Sequence, residues 1–128
     1  MSLNRTVLLA ALAIGAGEAA AQSRADGTYP GFLVCEALAF VPASRDPVIL
    51  EVAGGRATLS RTSGGRESAS GAVGGGQLVL TGGGAGFTSR YAGEVGGRGG
   101  LLTGVQTWTR SGGTHRRACQ LTVGNGRG

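Results

Sequence analysis

Four side chains near the end of the chain have the types and spacing of a small anion-binding site. The only tryptophan, Trp108, and the only histidine, His115, stand close in sequence to Arg110 and Arg117. Guanidinium groups match the geometry of carboxylates and phosphates, and an aromatic ring adds cation–π or stacking contact. The four residues predict a ligand site for a planar anion or a sugar acid. The alternative is that Trp108 plugs one end of a core, with Arg117 lying over its ring and reaching solvent.

The composition argues against enzymatic chemistry. All 12 basic residues are arginine, which excludes a lysine Schiff base and a phosphate-binding lysine. One histidine and two cysteines cannot form a zinc tetrad, and the 7 acidic residues contain no close pair in sequence. Ser70 has no neighbouring histidine that would activate it as a nucleophile. We therefore predict no catalytic residues, no metal site, no cofactor, and a protein that is not an enzyme.

The elements that carry the candidate residues are expected to be β-strands. Segments with apolar residues at every second position, such as Val48, Leu50 and Val52, alternate with glycine runs. Glycine supplies the positive φ that tight hairpin turns need. A flexible low-complexity chain is the alternative, and the apolar alternation argues against it. Eight strands are predicted, at 31–38, 48–52, 56–61, 67–73, 77–81, 87–95, 101–110 and 114–123.

The last two strands predict a specific register. If Gly112 and Gly113 form a two-residue loop, Arg110 lies opposite His115 and Trp108 lies opposite Arg117. This face is expected to point inward, because the opposite face is polar apart from Val105. The four candidate residues would then meet at the turn end of the hairpin. Further along, the same register pairs Gln106 with Cys119, Gly104 with Leu121, and Leu102 with Val123.

The first 21 residues have the order of features of an export signal peptide. Arg5 precedes an apolar run at 7–16, and Ala19 and Ala21 supply the small residues of a cleavage site. A membrane anchor is the alternative, but the run has about ten residues, whereas a membrane-spanning helix needs about 20. We predict removal of 1–21, a single domain over 22–128, and a periplasmic or secreted protein without a stable membrane span.

Export makes a disulfide between the only two cysteines, Cys35 and Cys119, the expected state. Cys35 falls in the first predicted strand and Cys119 in the last. Eight short strands can close into an up-and-down barrel or form a two-sheet sandwich. Closure makes the first and last strands neighbours, as the disulfide requires. The predicted fold is therefore all-β, an eight-stranded antiparallel up-and-down meander that closes into a small barrel.

Both ends of the predicted domain resemble small exported bacterial β-proteins of uncharacterised function that carry a cysteine near each end. The resemblance rests on DGTYPGFLVC at 26–35, GLLTGVQTWTR at 100–110 and RRAC at 116–119. The chain is also loosely similar to periplasmic inhibitors of C-type lysozymes, small eight-stranded barrels with an end-to-end disulfide. Their signature is a Ser-Gly pair followed shortly by tyrosine. Ser70 and Gly71 match the pair, and the tyrosine is absent here.

Two functions remain open after these steps. The net charge is +5, and an exported protein with this charge is expected to meet an anionic small molecule, an envelope glycan or a protein, with no nucleic acid. The first function is a binding module that takes an anionic or amphipathic small molecule, or an envelope glycan, at the barrel mouth. The second is a hydrolase inhibitor that acts through a glycine-rich loop at 82–86. A barrel that holds a ligand needs a cavity of about 300 Å³ or more, whereas an inhibitor can be solidly packed.

Overall fold

The alternating segments form β-strands in the computed structural model, which describes residues 25–61 and 66–125. The predicted signal peptide at 1–21 and its cleavage point lie outside these residues. No helix with the length and hydropathy of a membrane span occurs in the described part of the chain. The eight strands are β1 (Gly27–Cys35), β2 (Ser44–Ala53), β3 (Arg56–Arg61), β4 (Glu67–Gly74), β5 (Gln77–Gly84), β6 (Phe87–Gly96), β7 (Gly99–Arg110) and β8 (Gly113–Val123).

The strands close into a barrel. Each strand is antiparallel to the next, and β1 also pairs with β8, so the sheet has the order β1 to β8 and no free edge. Cys35 and Cys119 lie directly opposite each other across the β1–β8 seam and form a disulfide that spans 84 positions of sequence. The all-β fold, the closed barrel and the disulfide are therefore confirmed.

The inside of the barrel is filled by alternate residues of every strand. We call the end where β1, β3, β5 and β7 finish the mouth, and the other end the far end. From the far end to the middle the inward side chains are apolar or aromatic, and they are almost completely buried. The largest of them are Tyr29, Tyr91, Leu33, Leu50, Leu59, Leu78, Leu80, Leu102 and Leu121. Towards the mouth the inward residues become polar, and Arg61, Glu67, Ser89, Gln106 and Arg117 are buried there.

Glycines inside the strands allow the sheet to curve tightly. A Cβ atom at Gly71 would lie 1.7 Å from the carbonyl oxygen of Val79, and one at Gly104 would lie 1.8 Å from that of Arg90. No side chain fits at such distances, so the backbones of neighbouring strands approach closely at these points. Glycine at bends of this kind is what lets a small barrel close around a narrow core.

The first strand differs from its predicted bounds, because it begins at Gly27 and ends at Cys35 instead of covering 31–38. The sequence Tyr29-Pro30-Gly31 is typical of a turn, yet it lies within β1. The carbonyl oxygen of Pro30 accepts a hydrogen bond from the amide of Gly124, just beyond the end of β8. The nitrogen and the oxygen of a strand residue point to the same side, so the nitrogen of Pro30, which has no N–H, faces the end of β8, beyond the last paired residues Gly31 and Val123.

The predicted register of the last hairpin is wrong by two residues. The turn consists of Ser111 and Gly112, both with positive φ, at 52° and 77°. A two-residue type I′ turn requires positive φ at both positions. The predicted turn, at Gly112 and Gly113, lies one residue too late. Trp108 therefore pairs with His115, and Gln106 pairs with Arg117. A shift of two residues keeps every side chain on its predicted face, because the side-chain period of a strand is two.

Candidate functional site

Trp108 is held between two side chains at the mouth. The ring of Phe87, from β6, is stacked on the indole with a centroid distance of 4.6 Å and an interplanar angle of 19°. The guanidinium of Arg117, from β8, lies 5.5 Å from the indole centroid. Because β6 and β8 are the strands on either side of β7, the two contacts approach the indole from its two sides. The indole is thus held between two neighbouring side chains, while part of its surface stays accessible.

The other two predicted residues gather around Phe40, which lies in the connection between β1 and β2. The guanidinium of Arg110 is 4.8 Å from the Phe40 centroid, and the ring of His115 is 5.1 Å from it. Phe40 also makes an edge contact with Trp108 at 6.4 Å. The structure therefore brings Trp108, Arg110, His115 and Arg117 to one end of the barrel. Arg110 and His115 are exposed on its rim.

Arg117 is buried, with only 4% of its surface exposed. Its Nε donates a hydrogen bond of 2.8 Å to Oε1 of Gln106. Its Nη1 donates to the carbonyl oxygens of Glu36 and Pro42, at 3.1 and 3.0 Å, and so fastens the β1–β2 connection to the barrel. The alternative predicted from the sequence was that Arg117 lies over the indole and reaches solvent. The contact with the ring is present, but the guanidinium is buried. Burial, followed by the nearby charge of Arg61, lowers the pKa of Arg117.

A second set of buried polar residues lies below this cluster. Nη1 of Arg61 forms an ion pair with Oδ2 of Asp46 at 2.7 Å, and Nη2 lies 3.5 Å from Oε1 of Glu67. The hydroxyl of Tyr91 donates to Oε2 of Glu67 at 2.6 Å. Nε2 of Gln106 donates to Oε1 of Glu67 at 3.1 Å and to the hydroxyl of Tyr91 at 2.9 Å. This network joins strands β2, β3, β4, β6 and β7 across the barrel.

Two consequences of burial mark this network as unusual. Burial, followed by the charge of Glu67, raises the pKa of Tyr91, so its hydroxyl stays protonated and available as a donor. Within residues 25–61 and 66–125, three buried atoms have no hydrogen-bond partner: Nε of Arg61, Oγ of Ser44 and Oγ of Ser89. Buried polar atoms are nearly always paired, and an unpaired one costs about 1 to 3 kcal/mol.

A cavity of about 170 Å³ opens at the mouth beside Arg61 and Ser44. It is smaller than the 300 Å³ or so expected of a barrel that encloses a whole ligand. Four wider hollows lie on the outer surface: three of about 610 to 750 Å³ are each lined by a single charged residue, and one of about 290 Å³ is lined by Arg90 and Arg116. The mouth cavity differs from them in its concentration of positive charge. Its lining includes Ser44, Arg61, Arg66, Phe87, Trp108 and Arg117.

Several of these residues were not anticipated from the sequence, although a signal for some of them exists. Arg61 continues the inward alternation of Ala57 and Leu59, and Glu67 begins that of Ala69. A charged residue at an inward position of a strand is the signal that could have identified both. Phe40 carries no such signal, since it lies in a connection without periodicity.

The described residues contain no group of three or more histidine, cysteine, aspartate or glutamate side chains that could hold a metal ion. In comparisons with protein-family models, curated proteins and solved structures, no significant match to this chain was found.

Proposed function

We propose that this protein is an exported, non-enzymatic binding module that takes an anionic small molecule or the acidic part of an envelope glycan at the barrel mouth. The observation that carries the proposal is the unpaired Nε of Arg61, a buried donor beside a cavity that is also lined by Arg66 and Arg117. An oxygen of a bound anion would give this N–H the partner that the described residues do not provide. Guanidinium groups are well suited to this task because their planar forks match oxyanions.

The aromatic residues contribute by positioning the charges. Phe87 and Trp108 stack on each other, and Trp108 lies against Arg117. Nε1 of Trp108 donates to Oε1 of Gln106 at 3.1 Å, the same oxygen that accepts from Arg117. The indole and the glutamine together fix the orientation of the guanidinium. In this proposal the ligand is recognised mainly through charge, with Phe87 and Trp108 as apolar walls for an amphipathic molecule.

Export to the periplasm or to the outside of the cell is part of the proposal. It is supported by the signal-like order of residues 1–21 and by the disulfide between Cys35 and Cys119, a bond typical of oxidising compartments. Acidic glycans and small organic acids are anions available there.

The alternative, a hydrolase inhibitor, has less support because the expected loop is short. Gly82, Gly83 and Gly84 belong to β5, and only Ala85 and Gly86 form the turn to β6. A two-residue turn does not extend far enough from a barrel to enter the cleft of another protein.

The proposal is tested by titrating the oxidised protein with trigalacturonate while following the fluorescence of Trp108, the only tryptophan. We expect saturable binding that weakens as ionic strength rises past about 0.15 M, because exposed charges are then screened. Arg66→Ala should weaken binding about tenfold, since a hydrogen bond to a charged group is worth about 1.5 to 3 kcal/mol. Arg110→Ala should weaken it less, because that guanidinium is exposed on the rim and does not line the cavity.

A matched control is Arg98→Ala, which removes the same charge from an exposed turn at the far end. If Arg66→Ala and Arg98→Ala weaken binding equally, general attraction to a basic surface explains the result and the mouth is not the site. Arg117→Ala is unsuitable as a simple binding variant. Its loss would break the hydrogen bonds to Gln106, Glu36 and Pro42, and so damage the fold as well.

A further inference from the structure

The size of the mouth cavity limits what can enter it. About 170 Å³ corresponds to about six water molecules at roughly 30 Å³ each. A carboxylate with one or two attached carbons fits such a space, whereas a larger molecule has to leave most of its body outside. The apolar core directly below is closed, because Tyr91, Leu33 and Leu80 are completely buried and leave no passage down the barrel. Any ligand at this site therefore enters with one end only.

The charges around the cavity limit the charge that the entering group of the ligand can carry. Three guanidiniums line it, those of Arg61, Arg66 and Arg117. Two carboxylates oppose them from the neighbouring strands, those of Asp46 and Glu67, and both contact Arg61. The two carboxylates match the buried guanidiniums of Arg61 and Arg117, and Tyr91 is neutral, so the positive charge that remains is that of Arg66 at the exposed rim. A charge that enters the cavity is costly unless it is paired, so a monovalent group finds one partner charge and a divalent group would bring in an unpaired negative charge.

The donors that remain free favour a planar group. Arg61 and Ser44 line the cavity, and Nε of Arg61 and the hydroxyl of Ser44 are buried behind it without a partner within the described residues. Arg66 is exposed at the cavity rim, where its side chain is free to turn its guanidinium towards a bound group. A guanidinium presents its N–H groups in one plane, spaced to meet the two oxygens of a carboxylate.

We infer that the mouth binds a single monovalent carboxylate, the terminal acidic group of a molecule whose remainder stays outside the barrel. This inference rests on the proposed function and narrows it from anions in general to one class. It does not require the rest of the ligand to be a sugar, so acidic glycan ends and small organic acids share the same recognition chemistry.

The experiment uses the indole N–H of Trp108 as a reporter at the site. The chain has one tryptophan, so a nitrogen–proton correlation spectrum of the oxidised protein contains a single indole signal. That N–H donates to Gln106, whose Oε1 also accepts from Arg117, so an anion that contacts Arg117 should displace the signal. The probes are acetate, sulfate and acetamide, each titrated at the same ionic strength and at neutral pH.

We expect acetate to shift the indole signal to saturation and to bind at least about tenfold more tightly than sulfate, which carries a second charge. Acetamide has the shape of acetate without its charge and should produce no saturable shift. Arg66→Gln should weaken acetate binding about tenfold, and Ser44→Ala should weaken it severalfold, each by loss of a donor to a charged oxygen. Neither change removes an interaction on which the buried network depends. Arg98→Gln, at the far end, should leave acetate binding unchanged.

The outcomes separate this inference from the proposed function. If sulfate binds as tightly as acetate or more tightly, and Arg66→Gln weakens both, the mouth is an anion site but the restriction to monovalent carboxylates is wrong. If no anion shifts the indole signal, both the inference and the proposed function are overturned. If acetamide matches acetate, charge is not what the cavity recognises, and the inference fails.

Discussion

The two ends of the barrel are built from the same eight strands and differ in what points inward. At the far end the inward positions hold Tyr29, Val52, Val73, Val95 and Val123, all buried. Towards the mouth, five inward positions hold buried charged, amide or hydroxyl side chains, beside the disulfide. The far end is a closed apolar core, whereas the mouth contains buried donors without partners and a cavity. The comparison shows that one part of a small barrel can supply the stability that allows another part to keep a polar site.

The largest effect on stability is expected at the seam between β1 and β8, which is held by different bonds at the two ends of the barrel. At the mouth the seam is closed by the disulfide at Cys35, the last residue of β1, whereas beyond the far end of β8 the amide of Gly124 bonds to the carbonyl of Pro30. Cys35→Ala combined with Cys119→Ala should lower the free energy of unfolding by about 2 to 5 kcal/mol. Denaturant unfolding measures the loss, and amide hydrogen exchange should show that residues at the mouth lose more protection than those at the far end.

The reduced wild-type protein is the control for this pair of substitutions, because it lacks the bond but keeps both cysteines. A loss below about 1 kcal/mol in both proteins would mean that the seam is held by its backbone ladder, and uniform loss of protection would remove the contrast between the two ends.

A pair of tyrosines tests the comparison with the same atoms removed at each position. The hydroxyl of Tyr29 donates to the backbone oxygen of Ala25 at the far end, whereas that of Tyr91 donates to the buried carboxylate of Glu67. Tyr91→Phe should cost about 1 to 3 kcal/mol because it leaves a charged acceptor with one donor fewer, and Tyr29→Phe should cost less. Urea unfolding of the two variants at neutral pH measures the difference. Equal losses would show that the hydroxyl in the network at the mouth contributes no more than a single hydrogen bond to a neutral oxygen at the far end.

Tyr91→Phe should also change how the free energy of unfolding falls at alkaline pH. The pKa of Tyr91 is raised above its ordinary value of 10.0, first by burial and then by Glu67. The unfolded chain therefore releases this proton first, so the stability that Tyr91 contributes is fully present below pH 10 and falls as the pH rises further. Unfolding followed from pH 9 to 11.5 should show a shallower decline for Tyr91→Phe than for the wild type. The remaining slope includes Tyr29, whose pKa is also raised by burial.

The smallest effect is expected in the β7–β8 turn at the mouth. Ser111 has a φ of 52°, which serine adopts less readily than asparagine or glycine. Ser111→Asn should raise the free energy of unfolding by up to about 1 kcal/mol, without changing the mouth cavity. Thermal unfolding measures the gain. Its counterpart, Gly112→Ala, places a Cβ at a φ of 77° and should be destabilising. A loss of stability in Ser111→Asn would contradict the type I′ geometry.

The strand pattern could be predicted from the sequence because its signals are local. Alternation at Val48, Leu50 and Val52 and the glycine pairs at the turns locate the strands, and the two cysteines indicate closure. The register of the last hairpin was missed because two overlapping pairs, 111–112 and 112–113, can both form a tight turn, and only backbone geometry distinguishes them. The predicted inward and outward faces of β7 and β8 are nevertheless correct, because the register error is an even number of residues.

The candidate site could be predicted only in part, because it depends on contacts between distant segments. Trp108 and Arg117 belong to one hairpin, so their proximity follows from pairing. Arg61 and Glu67 reach the same end through strands on another part of the barrel wall, and Phe40 arrives from a connection whose path is fixed by hydrogen bonds from Arg117. No spacing along the chain expresses those relations. Closure of the barrel creates them.

The closed meander also determines how the protein would face its surroundings if it were tethered. Gly27, where β1 begins, and Val123, where β8 finishes, both lie at the far end. An affinity tag, a fluorescent fusion or a surface linker joined beyond either of these residues would extend from the far end, away from Trp108 and Arg117. A sensor chip or bead that holds the protein by such a handle would display the mouth to the solution.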